Sequence, residues 1–138
     1  MKTLVLIALT LGAFNFSYAG NKTAHADRGP AVAKNKKVLA VKVKKAYEDN
    51  GDDSFQGTAI TKKEMSGDAL KFFDHNQRTY GSDYPPSAVQ VHFAAHADII
   101  YVIENTDGGS FFGFFNVKDG STIATGSQGE SGDVTWDN

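Results

Sequence analysis

Residues 87–126 read SAVQVHFAAHADIIYVIENTDGGSFFGFFNVKDGSTIATG, and the period of this stretch decides the fold class. Val89, Val91, Phe93 and Ala95 alternate with Gln90, His92, Ala94 and His96. That period of two is the pattern of an extended strand. Ile99, Tyr101 and Ile103 alternate with Ile100, Val102 and Glu104, so both faces of the next strand are largely apolar. Asp107-Gly108-Gly109 turns the chain, Phe111–Phe115 forms a third run, and Asp119-Gly120 reads as a primed hairpin turn before Thr122–Thr125. The expectation is an antiparallel β-meander of about four strands over roughly 88–126.

Working back from the meander, Pro85-Pro86 closes a loop over 76–87. Thr61-x-x-Glu64 has the form of a capping box, and Met65, Ala69, Phe72 and Phe73 follow at helical spacing, which predicts a helix over 62–75. Val32, Leu39, Val43, Ala46 and Tyr47 share a helical face, and Asn50-Gly51 is a stop signal. Leu39–Lys44 also alternates as a strand would. The uninterrupted length between Pro30 and Gly51 favours a helix over 33–49, since strands average about 5–6 residues. Together these elements predict an α+β domain: one antiparallel sheet with one or two helices (33–49 and 62–75) packed on one face. The order helix, hairpin, hairpin resembles that of small exported PepSY-type modules. The resemblance covers the strand-rich final part of the chain, rests on element order alone and assigns no residue a role.

The N-terminus carries an address. Lys2 precedes an apolar run from Leu4 to Phe16, and Ser17-Tyr18-Ala19 offers small residues at a cleavage site. The run is about 13 residues long, short of the ~20 that a spanning helix needs. Residues 1–19 therefore read as a cleaved secretion signal, with a periplasmic or secreted destination. Residues 20–31 read as a disordered leader, 32–126 as a single domain, and 127–138 as a flexible Gly/Ser-rich tail. No later stretch reaches spanning length.

Composition narrows the chemistry. The chain has 138 residues, no Cys and a formal net charge of −2. A disulfide framework, a thiolate metal site and a Cys nucleophile are excluded. Charge is uneven: residues 20–45 sum to +7 and residues 46–138 to −10. The basic stretch has no aromatic side chain until Tyr47, which argues against nucleic acid as a partner. No phosphate-cradling Gly-rich loop occurs, and Gly129-Glu130-Ser131-Gly132 misses the nucleophile-elbow spacing.

His92 and His96 are the metal candidates. On a helix an i,i+4 pair lies about 6 Å apart along the axis and can share an ion. On a strand the same spacing spans about 13 Å. The alternation around them favours a strand, so the site is disfavoured. The acidic loop 48–53 lacks the Gly and Glu that a calcium-binding EF-hand requires. No cofactor is expected. The aromatic run has two readings, core packing and a partner-binding face, and Gly113 removes a side chain where a ligand or backbone would approach. Phe112, Phe114, Gly113 and Tyr101 are therefore the candidate binding residues. The functional expectation is a small exported, non-catalytic binding or inhibitor-like module acting through this aromatic face on an envelope or extracellular protein or a small ligand. The competing expectation is an exported metal-dependent or hydrolytic enzyme using His92, His96 and nearby carboxylates.

Overall fold

The computed structural model describes residues 29–80, 83–94 and 97–138. Val38–Asn138 forms one compact unit. The expected signal over 1–19 lies outside the described residues, as does most of the expected leader; its last residues, Gly29–Ala31, are helical.

The stretch open to two readings is a helix, α1 (Gly29–Asn50). Gly51 ends it at φ 57°, a left-handed conformation that costs glycine little. A 3₁₀ turn (Gly51–Ser54) leads to the short strand β1 (Thr58–Ala59). The capping box forms, with the Thr61 backbone N–H donating to Glu64 Oε2 at 2.6 Å, but it caps only a 3₁₀ turn, Lys62–Glu64. Met65 then returns to extended backbone (φ −105°, ψ 153°). The second helix, α2 (Gly67–Tyr80), therefore starts five residues later than predicted, at Gly67 itself.

Four long strands follow: β2 (Ser87–Ala94), β3 (Ala97–Thr106), β4 (Gly109–Asn116) and β5 (Thr122–Gly129). A short sixth, β6 (Val134–Trp136), completes an antiparallel sheet of order β1-β2-β3-β4-β5-β6. The predicted α+β meander is present, extended by one strand at each end. Asp119-Gly120 lies in a wider connection than a two-residue turn, with a register shift at Phe114/Phe115. The Gly120 carbonyl accepts from Ala69 N–H at 3.0 Å, so this loop is anchored to the start of α2.

The predicted tail is ordered. β6 pairs with β5 through Gly126↔Trp136, Ser127↔Thr135 and Gln128↔Val134. Its turn is closed by Gly129 N–H donating to the Asp133 carbonyl at 3.2 Å and Gln128 Nε2 donating to the Gly132 carbonyl at 2.8 Å. Trp136 supplies the tertiary reason, packing its ring against Phe112 at 5.4 Å and Tyr47 at 5.9 Å.

Strand alternation sorts the core into two layers. Val43 and Tyr47 of α1 cluster with Val91, Ile99, Tyr101, Phe112 and Phe114. Met65 and Ala69, at the start of the α2 region, cluster with the intervening residues Ala88, Ile100, Val102 and Phe115. Helix α1 thus covers one face of the sheet, as predicted, and α2 takes the opposite face. A β3–β4 centre that is apolar on both sides requires this double cover.

Candidate functional site

The residues predicted to form a binding face are the centre of the α1-side core. Phe112 and Phe114 have no exposed surface, and Tyr101 is buried. Tyr101 and Phe114 stack at 4.9 Å and 11°, and Tyr47 closes over Phe112 from the helix side at 4.1 Å. Phe55 adds a further ring 4.6 Å from Phe114. Of the two readings of the aromatic run, core packing holds. Gly113 has an equally internal explanation: a Cβ there would come within 2.6 Å of the Phe115 ring. The missing side chain makes room for Phe115, not for a ligand.

The polar tips of this layer are tied off at its rim. The Tyr101 hydroxyl donates to the Asp52 carboxylate, and the Tyr47 hydroxyl donates to Gln128 Oε1 at 3.3 Å. Trp136 Nε1 donates to Glu48 Oε1 at 2.7 Å, and Ser54 Oγ donates to the Ala46 carbonyl at 3.1 Å. Burial, reinforced by the Asp52 charge, pushes the Tyr47 phenol up to about 12. Burial and the bond to Asp52 push Tyr101 further above the ordinary phenol range. Phenols that hold their protons this firmly are donors and packing groups, not bases or nucleophiles.

The same bonds disperse the acidic loop. Glu48 receives Trp136, Asp49 pairs with Lys45 at 2.9 Å, and Asp52 receives Tyr101, so these three carboxylates face three different partners.

His92 lies on β2 opposite Asp98 of β3, its cross-strand partner, with Nδ1 2.6 Å from Oδ1. Both side chains are exposed. His96 lies outside the described residues. Among the described residues no group of three or more His, Cys, Asp or Glu side chains is arranged to hold a metal ion. No described helix is long and apolar enough to cross a membrane. Comparison with protein-family models, with curated proteins and with solved structures found no match.

Two features stand out that residue spacing did not flag as sites. The first is on α1, where Val38 and Val41 are 47% and 67% exposed, the large hydrophobic side chains that lie outside the core among the described residues. Lys42 and Lys45 are exposed beside them, four residues after each valine, so the four make one outward stripe. The buried residues of the same helix, Val43 and Tyr47, fall on the opposite side.

The second is Glu104. It continues the β3 row Ile100, Val102, Glu104 toward the α2 side, fully buried, with neither carboxylate oxygen hydrogen-bonded. Asn76 of α2 is also buried, and its Nδ2 has no partner. Burial raises the Glu104 carboxyl above the usual carboxylate range, opposed by the nearby His75 of α2. The sequence signal was a carboxylate at the end of an apolar row.

Proposed function

We propose that the chain is a small exported, non-catalytic binding module that engages an acidic protein of the cell envelope or exterior through the outward stripe of α1. The N-terminal sequence supports export. The stripe itself carries the binding reading: two half-exposed valines flanked by Lys42 and Lys45, on a helix whose other side is spent on the core. Exposed apolar side chains bordered by lysines, Lys45 sharing its charge with Asp49, suit a complementary protein surface. A lipid surface is disfavoured because interfacial helices bring Trp, Phe or Leu to the apolar side, and this stripe has only valine. The aromatic-face version of the binding reading gives way to the helix, because Tyr101, Phe112 and Phe114 are inside. The rim chemistry supports the non-catalytic part, since its phenols and carboxylates are engaged in holding α1 and β6 in place.

The test is capture from envelope extract on the immobilised protein, run in parallel with K42E/K45E and V41D variants. The reading expects an acidic protein that binds the wild type in a salt-sensitive way, is lost from both variants, and rebinds when purified. Capture that is identical across the variants, or binding only to phosphatidylglycerol vesicles, overturns it.

A further inference from the structure

Among the described residues Glu104 is a fully buried carboxyl group with no hydrogen-bond partner. It is fully enclosed, its two oxygens are unbonded, and β4 places Phe111 directly opposite it. On β2, Ser87 lies opposite the preceding residue, Ile103, so neither flanking strand brings a charge at this level. On α2, His75 acts on it electrostatically, its cationic form favouring the carboxylate. In the connections nearby, Asp83 and Asp107 act on Tyr84.

The two ends of α2 are held differently. At its start, Ala69 N–H donates to the Gly120 carbonyl at 3.0 Å, and Asp68 accepts from the Thr122 N–H and hydroxyl at 3.3 and 3.2 Å. Lys62 adds an ion pair to Asp74 at 2.5 Å. Beyond Asp74, the side-chain bonds among the described residues are internal to the helix: Arg78 Nε to the Asp74 carbonyl and the Thr79 hydroxyl to the His75 carbonyl. Asn76, in this second half, brings an unbonded amide rather than an anchor.

We propose that Glu104 is a pH-sensitive latch: as a neutral acid it lets the C-terminal half of α2 lie on the sheet, and loss of its proton frees that half to open. A carboxylate without a hydrogen bond cannot stay fully buried without hydration, whereas the neutral acid is far less costly to bury. Opening the half of α2 that carries His75 and the buried, unbonded Asn76 amide would admit that water. The raised carboxyl value is consistent with this, burial being its main cause. For an acid whose folded value lies above its unfolded one, the closed state is fully stabilised below the unfolded value and loses ground as pH rises toward the folded value. In that window release of one proton sets the slope, so the ratio of open to closed rises about tenfold per pH unit.

Hydrogen exchange of the full chain, corrected for intrinsic rates and followed across the acid-to-neutral range, tests this. Amides 75–80 should lose protection about tenfold per pH unit within the window, while amides of β4 keep theirs, and E104Q should abolish the dependence. E104M provides the same comparison should the glutamine variant fold poorly. An unchanged pH dependence in the folded variant overturns the latch. So does a wild-type loss of protection shared equally by β4, which would report global unfolding.

Discussion

Tyr47 of α1 lies over Phe112 of β4 with ring centroids 4.1 Å apart and planes inclined by 30°. The same Tyr47 ring meets Phe55, Tyr101, Phe114 and Trp136 at 5.9–6.4 Å, so one helical residue gathers aromatics from the residue after the 3₁₀ turn, two central strands and the edge strand β6. The hydroxyls of Tyr47 and Tyr101 meanwhile reach the rim, where their acceptors come from different elements, β5 and the 3₁₀ turn.

That arrangement predicts an alkaline transition. Both phenols have raised folded values, so their contribution is complete below the ordinary tyrosine value and is lost as pH rises through the folded values. Phenolate absorbance should show Tyr47 titrating at about 12 and Tyr101 held above the ordinary phenol range. Y101F should remove the second feature and lower stability by about 1 kcal/mol through loss of the Asp52 bond. Ordinary titration of every tyrosine in the folded protein would contradict the arrangement.

Gly113 should resist substitution. A Cβ 2.6 Å from the Phe115 ring forces that ring or the strand to move, and G113A should cost about 1–3 kcal/mol in urea unfolding. Shortening the obstructing side chain, in G113A/F115L, should cost less than the sum of the two single changes. F112A, at the centre of the opposite layer, should cost about 3–5 kcal/mol. If G113A is neutral, Phe115 does not occupy the space described.

Removing residues 130–138 should destabilise the whole domain rather than trim a mobile end. It deletes the β5–β6 pairing and the ring that covers Phe112 and Tyr47, while also exposing β5 as an edge. Trp136 is the sole tryptophan, so its fluorescence should report the cooperative unfolding of the full chain. Equal stability of the shortened protein, by thermal melting, would mean that β6 does not hold the core.

The His92–Asp98 pair should matter little. Both side chains are exposed, and surface pairs are worth about 0–1 kcal/mol. H92A should therefore melt within a few degrees of wild type. Added zinc should shift neither protein, because among the described residues no group of three or more ligating side chains is arranged to hold it. A zinc-dependent rise in wild type that is absent from H92A would restore the metal-enzyme reading.

Export is tested at the N-terminus of the recovered protein. Expression of the full sequence in a bacterial host should yield a processed protein beginning at Gly20. Retention of Met1 in the recovered protein would remove the signal reading of Ser17–Ala19.

The sheet was legible because both sources of evidence for it are local. Alternation from Val89 to Glu104 and the Asp107–Gly109 turn each reflect a few consecutive residues, and register follows from them. The position of α2 was not, because a sound capping box can close a single 3₁₀ turn, and Gly67 then sets the helix start by its left-handed backbone. β6 escaped notice because a three-residue strand carries no period. Its order comes from Trp136, whose contacts are with residues from Tyr47 to Phe114.

The sequence alone determined the composition of the strands, the absence of thiol chemistry and the helical face of α1, since each is set by residue type or by spacing within one element. Tertiary structure decided which of those faces meets water. It placed one helix on each side of the sheet, which turned Phe112, Phe114 and Tyr101 from a candidate surface into core and left Val38 and Val41 outside. It also enclosed Glu104, because burial depends on what packs above a residue, and no local pattern records that.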